Sequence, residues 1–275
     1  MPKDLKQINV PDTLKKVKNI IGVFSAKGGV GKSAVSLNLA LSLQKKGLKV
    51  GLADADIYGP SQTVLMQALN QKLEVKDQRI LKPVNKDGIK FMSMGLISNE
   101  KMPVIWRGPM VSGAVLQLIS QTDWEELDYL IIDTPPGTGD VQLTLLQRIP
   151  IKGALIITTP EDVSISDTKK GIEMILKLDV PLLGLIENMS WFSPKGSSKK
   201  YYIFGKDGGK TLSSEYKIDL ISQLQLIEAG EQKAIYDDND MKNKFDKISS
   251  FIIKKIDNLT EELKNNIPQI NLPND

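Results

Sequence analysis

The 275-residue sequence contains no cysteine and no histidine. These two absences exclude disulfides, thiolate chemistry, imidazole general bases and the usual zinc and iron–sulfur ligands. The net charge is only +3, so the composition gives no sign of the concentrated basic surface that nucleic-acid binding needs. No apolar run approaches the length of a membrane span, and the N-terminus lacks the apolar segment of a signal peptide. We therefore expect a cytoplasmic protein with no membrane span and no nucleic-acid partner.

What the chain does contain is an alternation of short β-branched runs with helical patterns. Strands are expected at 20–24, 49–53, 89–94, 129–133, 154–158 and 182–187, and helices at about 33–46, 61–69, 109–121, 163–178 and 206–215. Four of the strand runs are almost continuously apolar, which is typical of strands covered on both faces. The alternation predicts a single α/β domain with a doubly wound, mostly parallel sheet.

The expected domain covers residues 19–265, between a polar, lysine-rich arm at 1–18 and a short tail at 266–275. It includes a last amphipathic helix at 241–264. One face of that helix carries Phe245, Ile248, Ile252, Ile256, Leu259 and Leu263, and its polar face includes Lys244, Lys247, Lys254 and Lys255. Packing of the apolar face against the sheet is the expected arrangement, and an anionic membrane surface is the alternative.

The stretch FSAKGGVGKSAV, at 24–35, has the form of a phosphate-binding loop between a buried strand and a helix. Its three glycines let successive backbone N–H groups face phosphate oxygens, and the helix N-terminus adds partial positive charge. Lys32 is placed to reach the β- and γ-phosphates, and the Ser33 hydroxyl to ligate Mg²⁺. The predicted nucleotide-binding loop consists of Lys27, Gly28, Gly29, Val30, Gly31, Lys32, Ser33 and Ala34.

Carboxylates follow two of the expected strands. Asp54 and Asp56 come after the second strand, and Asp133 ends the apolar run LDYLIID. The carboxyl ends of parallel strands meet at one edge of a sheet, so these side chains should lie beside the phosphate loop. Asp133 fits the Walker B role of ordering the Mg²⁺ shell. Of Asp54 and Asp56, one could hold a magnesium-bound water while the other orients the attacking water, and capping of the strand end is the alternative.

The additional lysine of the loop, Lys27, resembles the signature of the deviant Walker A class of P-loop NTPases, which includes the MinD, ParA and nitrogenase iron-protein groups. This resemblance implies a homodimer in which Lys27 reaches the phosphates of the nucleotide in the other subunit, so that hydrolysis depends on dimerisation. A cation delivered in this way stabilises charge on the phosphoryl group, much as an arginine finger does. The alternative for Lys27 is a solvated loop lysine.

Five blocks narrow the resemblance to the Mrp/ApbC family of iron–sulfur cluster carrier ATPases. They are DADIYGPS (54–61), WRGPM (106–110), LDYLIIDTPPGTGDVQLTLLQ (127–147), TTPEDVSISD (158–167) and IENMSWF (186–192). The resemblance implies that Asp56 activates the attacking water and that Asp54 and Asp133 lie in the magnesium shell with Ser33. The implied catalytic set is Lys27, Lys32 and Asp56. Asn188 is implied to hydrogen-bond the adenine, with a strand-end cap as its alternative.

The chain departs from that family shortly after the ENMS stretch. Many members carry a C-x-x-C pair there, through which two subunits are thought to share one iron–sulfur cluster. This chain instead has Ser193, Ser197 and Ser198 near the expected ligand positions. A serine hydroxyl stays protonated at neutral pH and is a poor iron ligand, and no histidine can replace it. A cluster is implied by the resemblance, but a cluster held by a C-x-x-C pair is excluded here.

Two features allow more than one interpretation. Trp106 and Arg107 either contact a partner or belong to the core just before a helix. The run PKGSSKKYY at 194–202 combines lysines with tyrosines, yet a short run of this kind is expected to be a solvated loop rather than a nucleic-acid contact.

The sequence therefore predicts a homodimeric ATPase that binds ATP and Mg²⁺ and acts in iron–sulfur cluster assembly or transfer. Hydrolysis should be slow, because no base stronger than aspartate is available and chemistry awaits dimer closure. The expected partners are a second copy of the chain and apo iron–sulfur proteins or a cluster scaffold. The alternative is a MinD/ParA-like positioning ATPase whose ATP-bound dimer binds a membrane surface or the nucleoid.

Overall fold

The apolar runs of the sequence form parallel strands, and the amphipathic stretches between them form helices. A computed structural model of the chain describes residues 10–57, 59–69, 71, 73–76, 80–97, 108–194, 196–227 and 239–265. The strands are β1 (Val17–Phe24), β2 (Val50–Asp54), β3 (Glu74–Lys76), β4 (Ile80–Lys82), β5 (Val84–Lys86), β6 (Ile89–Ser93), β7 (Leu127–Asp133), β8 (Gly153–Thr158), β9 (Leu182–Glu187) and β10 (Leu220–Gln223).

The helices of the described residues alternate with these strands. They are α1 (Lys32–Lys45), α2 (Ser61–Leu65), α3 (Met94–Ile97), α4 (Gly108–Gln121), α5 (Asp140–Arg148), α6 (Asp162–Lys177), α7 (Gly208–Tyr216) and α8 (Asn239–Asn265). A short 3₁₀ turn, Asp12–Leu14, precedes β1.

Eight of the strands form one sheet in the order β10-β9-β8-β1-β7-β2-β6-β5. All neighbours in it are parallel except β5 and β6, which form an antiparallel pair at one edge. The remaining two strands, β3 and β4, form a small antiparallel hairpin outside the sheet. The predicted single α/β domain with a doubly wound, mostly parallel sheet is confirmed.

Both faces of the sheet are covered, which explains why its central strands are apolar without alternation. On one face, Ile21 and Val23 of β1 belong to the same core as buried residues of α1 and α8. On the other face, Ile20 and Phe24 of the same strand share a core with buried residues of α4, α5, α6 and α7. The nucleotide loop that follows Phe24 therefore starts from a strand held on both sides.

The C-terminal helix α8 packs on α1. Phe245, Ile248, Ile252 and Ile256 are buried, and Leu259 packs against the same core. Between the two helices, the hydroxyls of Ser42 and Ser249 form a hydrogen bond of 2.9 Å. Covering of the sheet by this helix is confirmed for the described side chains, whereas Leu263 lies outside them. None of the described helices is long and apolar enough to cross a bilayer.

Several boundaries differ from the expectation. The strand β1 begins at Val17 and Leu14 is buried, so residues 10–18 do not form a loose arm, while residues 1–9 and the tail at 266–275 lie outside the described part. Helix α2 is shorter than the expected 61–69, because Gln67 has a φ of 50° and left-handed backbone cannot continue an α-helix. Helices α3 and α5 and strands β3, β4, β5 and β10 were not expected.

Candidate nucleotide-binding site

The candidate site lies at the carboxyl edge of three adjacent strands. Because β7 pairs with both β1 and β2, Asp133 has Val23 as its register partner on one side and Asp54 on the other. The phosphate loop leaves β1 at this edge and enters α1. The structure thus brings the loop, Asp54 and Asp133 to one edge, and Asp56 lines the same cleft as the loop, as the parallel arrangement requires.

The phosphate loop borders an open cleft of about 560 Å³. Residues 27–34 line it, together with Asp56, Pro136 and Met189. Gly31 is the N-cap of α1 and has a φ of 80°, a left-handed conformation that favours glycine. An added Cβ at Gly31 would also lie 2.3 Å from the Asn188 Nδ2, so that side chain would have to move. Glycine at this position therefore avoids both backbone strain and a clash with Asn188.

Lys32 forms a buried ion pair at the bottom of this cleft. Its side chain is only 6% exposed, and its Nζ donates to Oδ1 of the fully buried Asp133. The Ser36 hydroxyl donates to the same oxygen at 3.1 Å. Burial of a lysine is costly unless it is paired, so the bond to Asp133 accounts for the buried position of Lys32.

Asp54 is a second buried carboxyl beside Asp133. It accepts hydrogen bonds from the Ser93 hydroxyl at 2.9 Å and from the backbone N–H groups of Asp56 and Gln62 at 3.1 and 3.2 Å. Burial, and secondly the negative charge of Asp133, raise the pKa of Asp54 to about 7. Asp54 therefore gains or loses a proton near neutral pH.

Asp56 occupies a different environment, although it is only two residues further on. It lies beyond the end of β2, lines the cleft, and its Oδ1 accepts a hydrogen bond from the Gly59 N–H at 3.2 Å. Asp54 and Asp133 lie behind the residues that line the cleft. Of the two aspartates that follow β2, Asp56 is thus the one that can meet a solvent molecule in the cleft.

Lys27 points to an acidic residue of its own chain. Its Nζ lies 2.6 Å from Oε2 of Glu161, the N-cap residue of α6. The two side chains are 39% and 31% exposed. Glu161 was not predicted as a site residue, and only the tertiary structure reveals this pair.

Asn188 follows β9 and approaches the phosphate loop from the other side. Its backbone N–H donates to the Thr158 carbonyl at 2.8 Å, and its Nδ2 donates to the Val30 carbonyl at 2.9 Å. With Gly31, Leu224 and Gln225 it lines a cavity of about 80 Å³. The side chain therefore connects the loop to an apolar cavity, which suits either predicted role.

The oxygen atoms at this edge fit a hard divalent cation. Ser33 lines the cleft, and Asp54 and Asp133 are register partners at the ends of β2 and β7. Hydroxyl and carboxylate oxygens are donor types that Mg²⁺ prefers. The buried Gln62 side chain, which sequence reasoning missed, also contacts Ser33 and Asp133. Across the described ranges, no three Asp, Glu, His or Cys side chains lie together as a metal-binding group.

Among the described residues after β9, no group of side chains that could hold a metal ion is found. Ser193, Ser197 and Ser198 lie in irregular backbone. Nearby lysines cover aromatic rings: the Lys200 Nζ is 4.0 Å from the Trp191 ring centre, and the Lys199 Nζ is 5.0 Å from that of Tyr201. The two residues with open interpretations, Trp106 and Arg107, lie outside the described residues.

Comparison with known proteins agrees with this geometry. The chain is 46% identical over 221 residues to the iron–sulfur cluster carrier protein of Pseudomonas fragi, covering 80% of this chain and 77% of the relative. It is 47% identical over 222 residues to the iron–sulfur cluster carrier protein of Haemophilus influenzae, covering 81% of this chain but only 60% of that protein. The chain therefore spans less than two thirds of the length of some relatives.

The nucleotide-binding protein of Archaeoglobus fulgidus, solved in complex with ADP, superposes with a TM-score of 0.69 at 33% identity. The alignment covers 87% of this chain and 90% of that one. A family model described as NUBPL iron-transfer P-loop NTPase, of the ParA group, matches residues 16–263. The resemblance inferred from the five sequence blocks is confirmed: the chain belongs to the NUBPL iron-transfer family of P-loop NTPases.

Proposed function

We propose that the chain is a homodimeric ATPase that binds ATP with Mg²⁺, hydrolyses it slowly and acts in iron–sulfur cluster assembly or transfer without a cluster of its own held by a C-x-x-C pair. The observation that carries the proposal is the buried pairing of Lys32 with Asp133 directly below the phosphate-loop cleft. The family and its carrier relatives support the biological role.

The proposed reaction uses the chain's own groups in three places. A bound nucleotide takes Lys32 as the partner of its phosphates, which releases Oδ1 of Asp133. Ser33, Asp54 and Asp133 would hold the magnesium ion, which neutralises phosphate charge when bound. Asp56, which lines the cleft, is placed to orient the attacking water.

Lys27 supports the proposed dependence on dimerisation. Its ion pair with Glu161 is about one third exposed, and pairs of this kind contribute only about 0–1 kcal/mol. A pair that weak is readily exchanged for the stronger attraction of a nucleotide phosphate in a second subunit. We expect Lys27 to leave Glu161 when two ATP-bound copies meet.

The proposed role in cluster transfer takes into account that the sequence contains no cysteine and no histidine. With no thiolate or imidazole ligand in the chain, an iron–sulfur cluster is best treated as cargo that a partner protein holds. ATP binding would then time the association with that partner, and hydrolysis its release.

Two measurements on the full chain test the proposal. In anaerobic reconstitution with iron and sulfide, we expect no stoichiometric cluster, with or without Mg²⁺-ATP. In a binding assay with an apo ferredoxin as probe, we expect Mg²⁺-ATP to change the affinity of the wild type and not that of Lys32→Ala. A stable cluster on the isolated chain would contradict the first part, and an affinity independent of ATP the second.

The positioning-ATPase alternative has less support. Its membrane form would need an accessible apolar helix face, yet the apolar face of α8 is buried on α1. The alternative is tested by measuring whether the chain sediments with anionic liposomes, or binds non-specific DNA, in the presence of ATP. We expect no ATP-dependent binding to liposomes or to DNA, and binding to either one would favour the alternative.

A further inference from the structure

Gln62 carries a buried polar atom that has no partner. This residue of α2 is fully buried, and its Oε1 accepts no hydrogen bond from any described residue. Leaving a buried acceptor unsatisfied is unfavourable, because the atom loses its hydrogen bond to water on burial. Such an atom in a candidate site has room for a donor from outside the protein, such as an ordered water.

The chemistry of its neighbours fixes which way the amide faces. The Gln62 Nε2 lies 2.7 Å from the Ser33 carbonyl oxygen and 3.0 Å from Oδ2 of Asp133. Both neighbours only accept hydrogen bonds, so the amide nitrogen must face them and the oxygen must point elsewhere. Reversing the amide would place three acceptors together, which excludes that orientation.

Gln62 also contacts the other buried carboxyl. Its backbone N–H donates to Oδ2 of Asp54 at 3.2 Å. One residue at the start of α2 is therefore bonded to the loop serine and to both aspartates that are predicted to surround the metal. No other described residue contacts all three through the hydrogen bonds found in the structure.

We infer that Gln62 is a further residue of the magnesium shell, in which its Oε1 accepts a hydrogen bond from a metal-bound water. This inference rests on the proposed binding of Mg²⁺ with nucleotide. The amide nitrogen holds Oδ2 of Asp133, which leaves Oδ1 for the metal shell once Lys32 turns to the phosphates. Outer-shell groups of this kind orient the ligands and tune the affinity for the metal.

The test uses Mn²⁺ as the metal and ADP as the nucleotide, so that no turnover is required. Free Mn²⁺ is measured by electron paramagnetic resonance on the full chain loaded with ADP. Gln62→Met keeps the length and removes both polar groups, and we expect it to weaken Mn²⁺ binding about tenfold. ADP affinity in the presence of EDTA should change much less than Mn²⁺ affinity, because Gln62 does not line the cleft and the loop loses only the bond to the Ser33 carbonyl.

Gln62→Glu separates a metal role from a packing role. Burial and the neighbouring Asp133 favour the protonated form of the introduced carboxyl, which can donate to Asp133 as the amide does and still presents an acceptor oxygen, so Mn²⁺ affinity should stay within about threefold of the wild type. A packing role would instead weaken binding in both variants. Should Gln62→Met fail to fold, as circular dichroism would show, the Glu variant alone still decides between the two.

The matched control is Gln142→Met. Gln142 is also buried, and its Nε2 donates to the Pro135 and Ser25 carbonyls at 2.6 and 3.3 Å, with no contact to a site carboxylate. Its Mn²⁺ affinity should equal that of the wild type. Equal affinity in Gln62→Met and the wild type, or equal losses in both Gln62 variants, would overturn the inference alone. A wild type that binds no ADP or no Mn²⁺ would overturn the proposed function as well.

Discussion

Lysines in two regions of this molecule are stabilised in opposite ways. At the phosphate-loop edge, Lys32 is buried and paired with a buried carboxylate, Asp133. In the segment after β9, Lys199 and Lys200 are exposed and lie over the rings of Tyr201 and Trp191. The first arrangement is rigidly coupled to its surroundings, whereas the second is a set of weak surface contacts.

The two regions differ in the functional groups that they bring together. The phosphate-loop edge has a cation, two carboxyls and a hydroxyl within one connected hydrogen-bond network. The segment after β9, where the family resemblance leads one to expect cluster ligands, offers hydroxyls and ammonium groups. The residues for the proposed nucleotide binding therefore lie in this chain, whereas cysteine or histidine ligands for a cluster do not.

The largest effect is expected at Lys27. Lys27→Ala should lower ATP turnover about 1,000-fold, because a cation delivered in trans to a phosphoryl group acts like an arginine finger. ATP affinity should stay within about threefold, because in the isolated chain Lys27 is bonded to Glu161. Steady-state phosphate release and calorimetric ATP binding measure the two quantities. Unchanged turnover would refute the role in trans.

Lys32→Ala should act on binding rather than turnover. Loss of this ammonium group removes charge-assisted hydrogen bonds to the phosphates, and ATP affinity should fall about 100-fold. Calorimetric ATP binding measures this loss, and Lys27→Ala, from the same loop, is measured in parallel as the control. If both variants bound ATP equally well, the buried lysine would not be the phosphate ligand.

Asp54 makes the stability of the metal-free protein depend on pH. Its pKa of about 7 in the folded state exceeds the unfolded value of about 3.9, so its stabilising contribution is complete below about pH 4 and is lost as the pH rises to 7. The charges that face it are Asp133 and Lys32. The loss is at most about 1.4 kcal/mol per pH unit.

Asp54→Asn should remove this dependence. Urea unfolding in EDTA at pH 5, 6 and 7 should show the wild type losing stability relative to Asp54→Asn as the pH rises. The variant is expected to be less stable overall, because an amide cannot accept all three hydrogen bonds. Parallel pH profiles would contradict the raised pKa.

The smallest effect is expected in the segment after β9. Lys200→Ala removes a cation from the face of Trp191 and should lower the free energy of unfolding by less than about 1 kcal/mol. ATP affinity should be unchanged. A loss of ATP affinity would show that this segment is coupled to the nucleotide site and would remove the contrast between the two regions.

The central strands and the position of the phosphate loop could be predicted from the sequence alone. Buried parallel strands have an apolar pattern that needs no tertiary information, and the loop motif fixes its own position between β1 and α1. The edge strands β5 and β10 were missed because their residues are partly exposed and of mixed polarity. Helix α5 was missed because only Gln142, Leu145 and Leu146 are buried in it, too few to produce a clear period.

Residues that act through tertiary contacts could not be predicted from local pattern. Gln62 meets Asp133 across 71 positions of sequence, and Lys27 meets Glu161 across 134. The only indication in the sequence that Gln62 belongs to the site was a polar residue on the buried side of a short helix. The roles assigned to the site residues, from Lys27 and Lys32 to Asn188, remain predictions, since the structure gives their positions and not their chemistry.

The central place of β1 in the sheet has a consequence for biosynthesis. This strand has β7 on one side and β8 on the other, so both of its neighbours are translated long after it. During synthesis at about 5–20 residues per second, β1 waits several seconds for these partners. The phosphate loop, although encoded near the N-terminus, is thus completed late, and a chain truncated before residue 127 lacks the strands that support it.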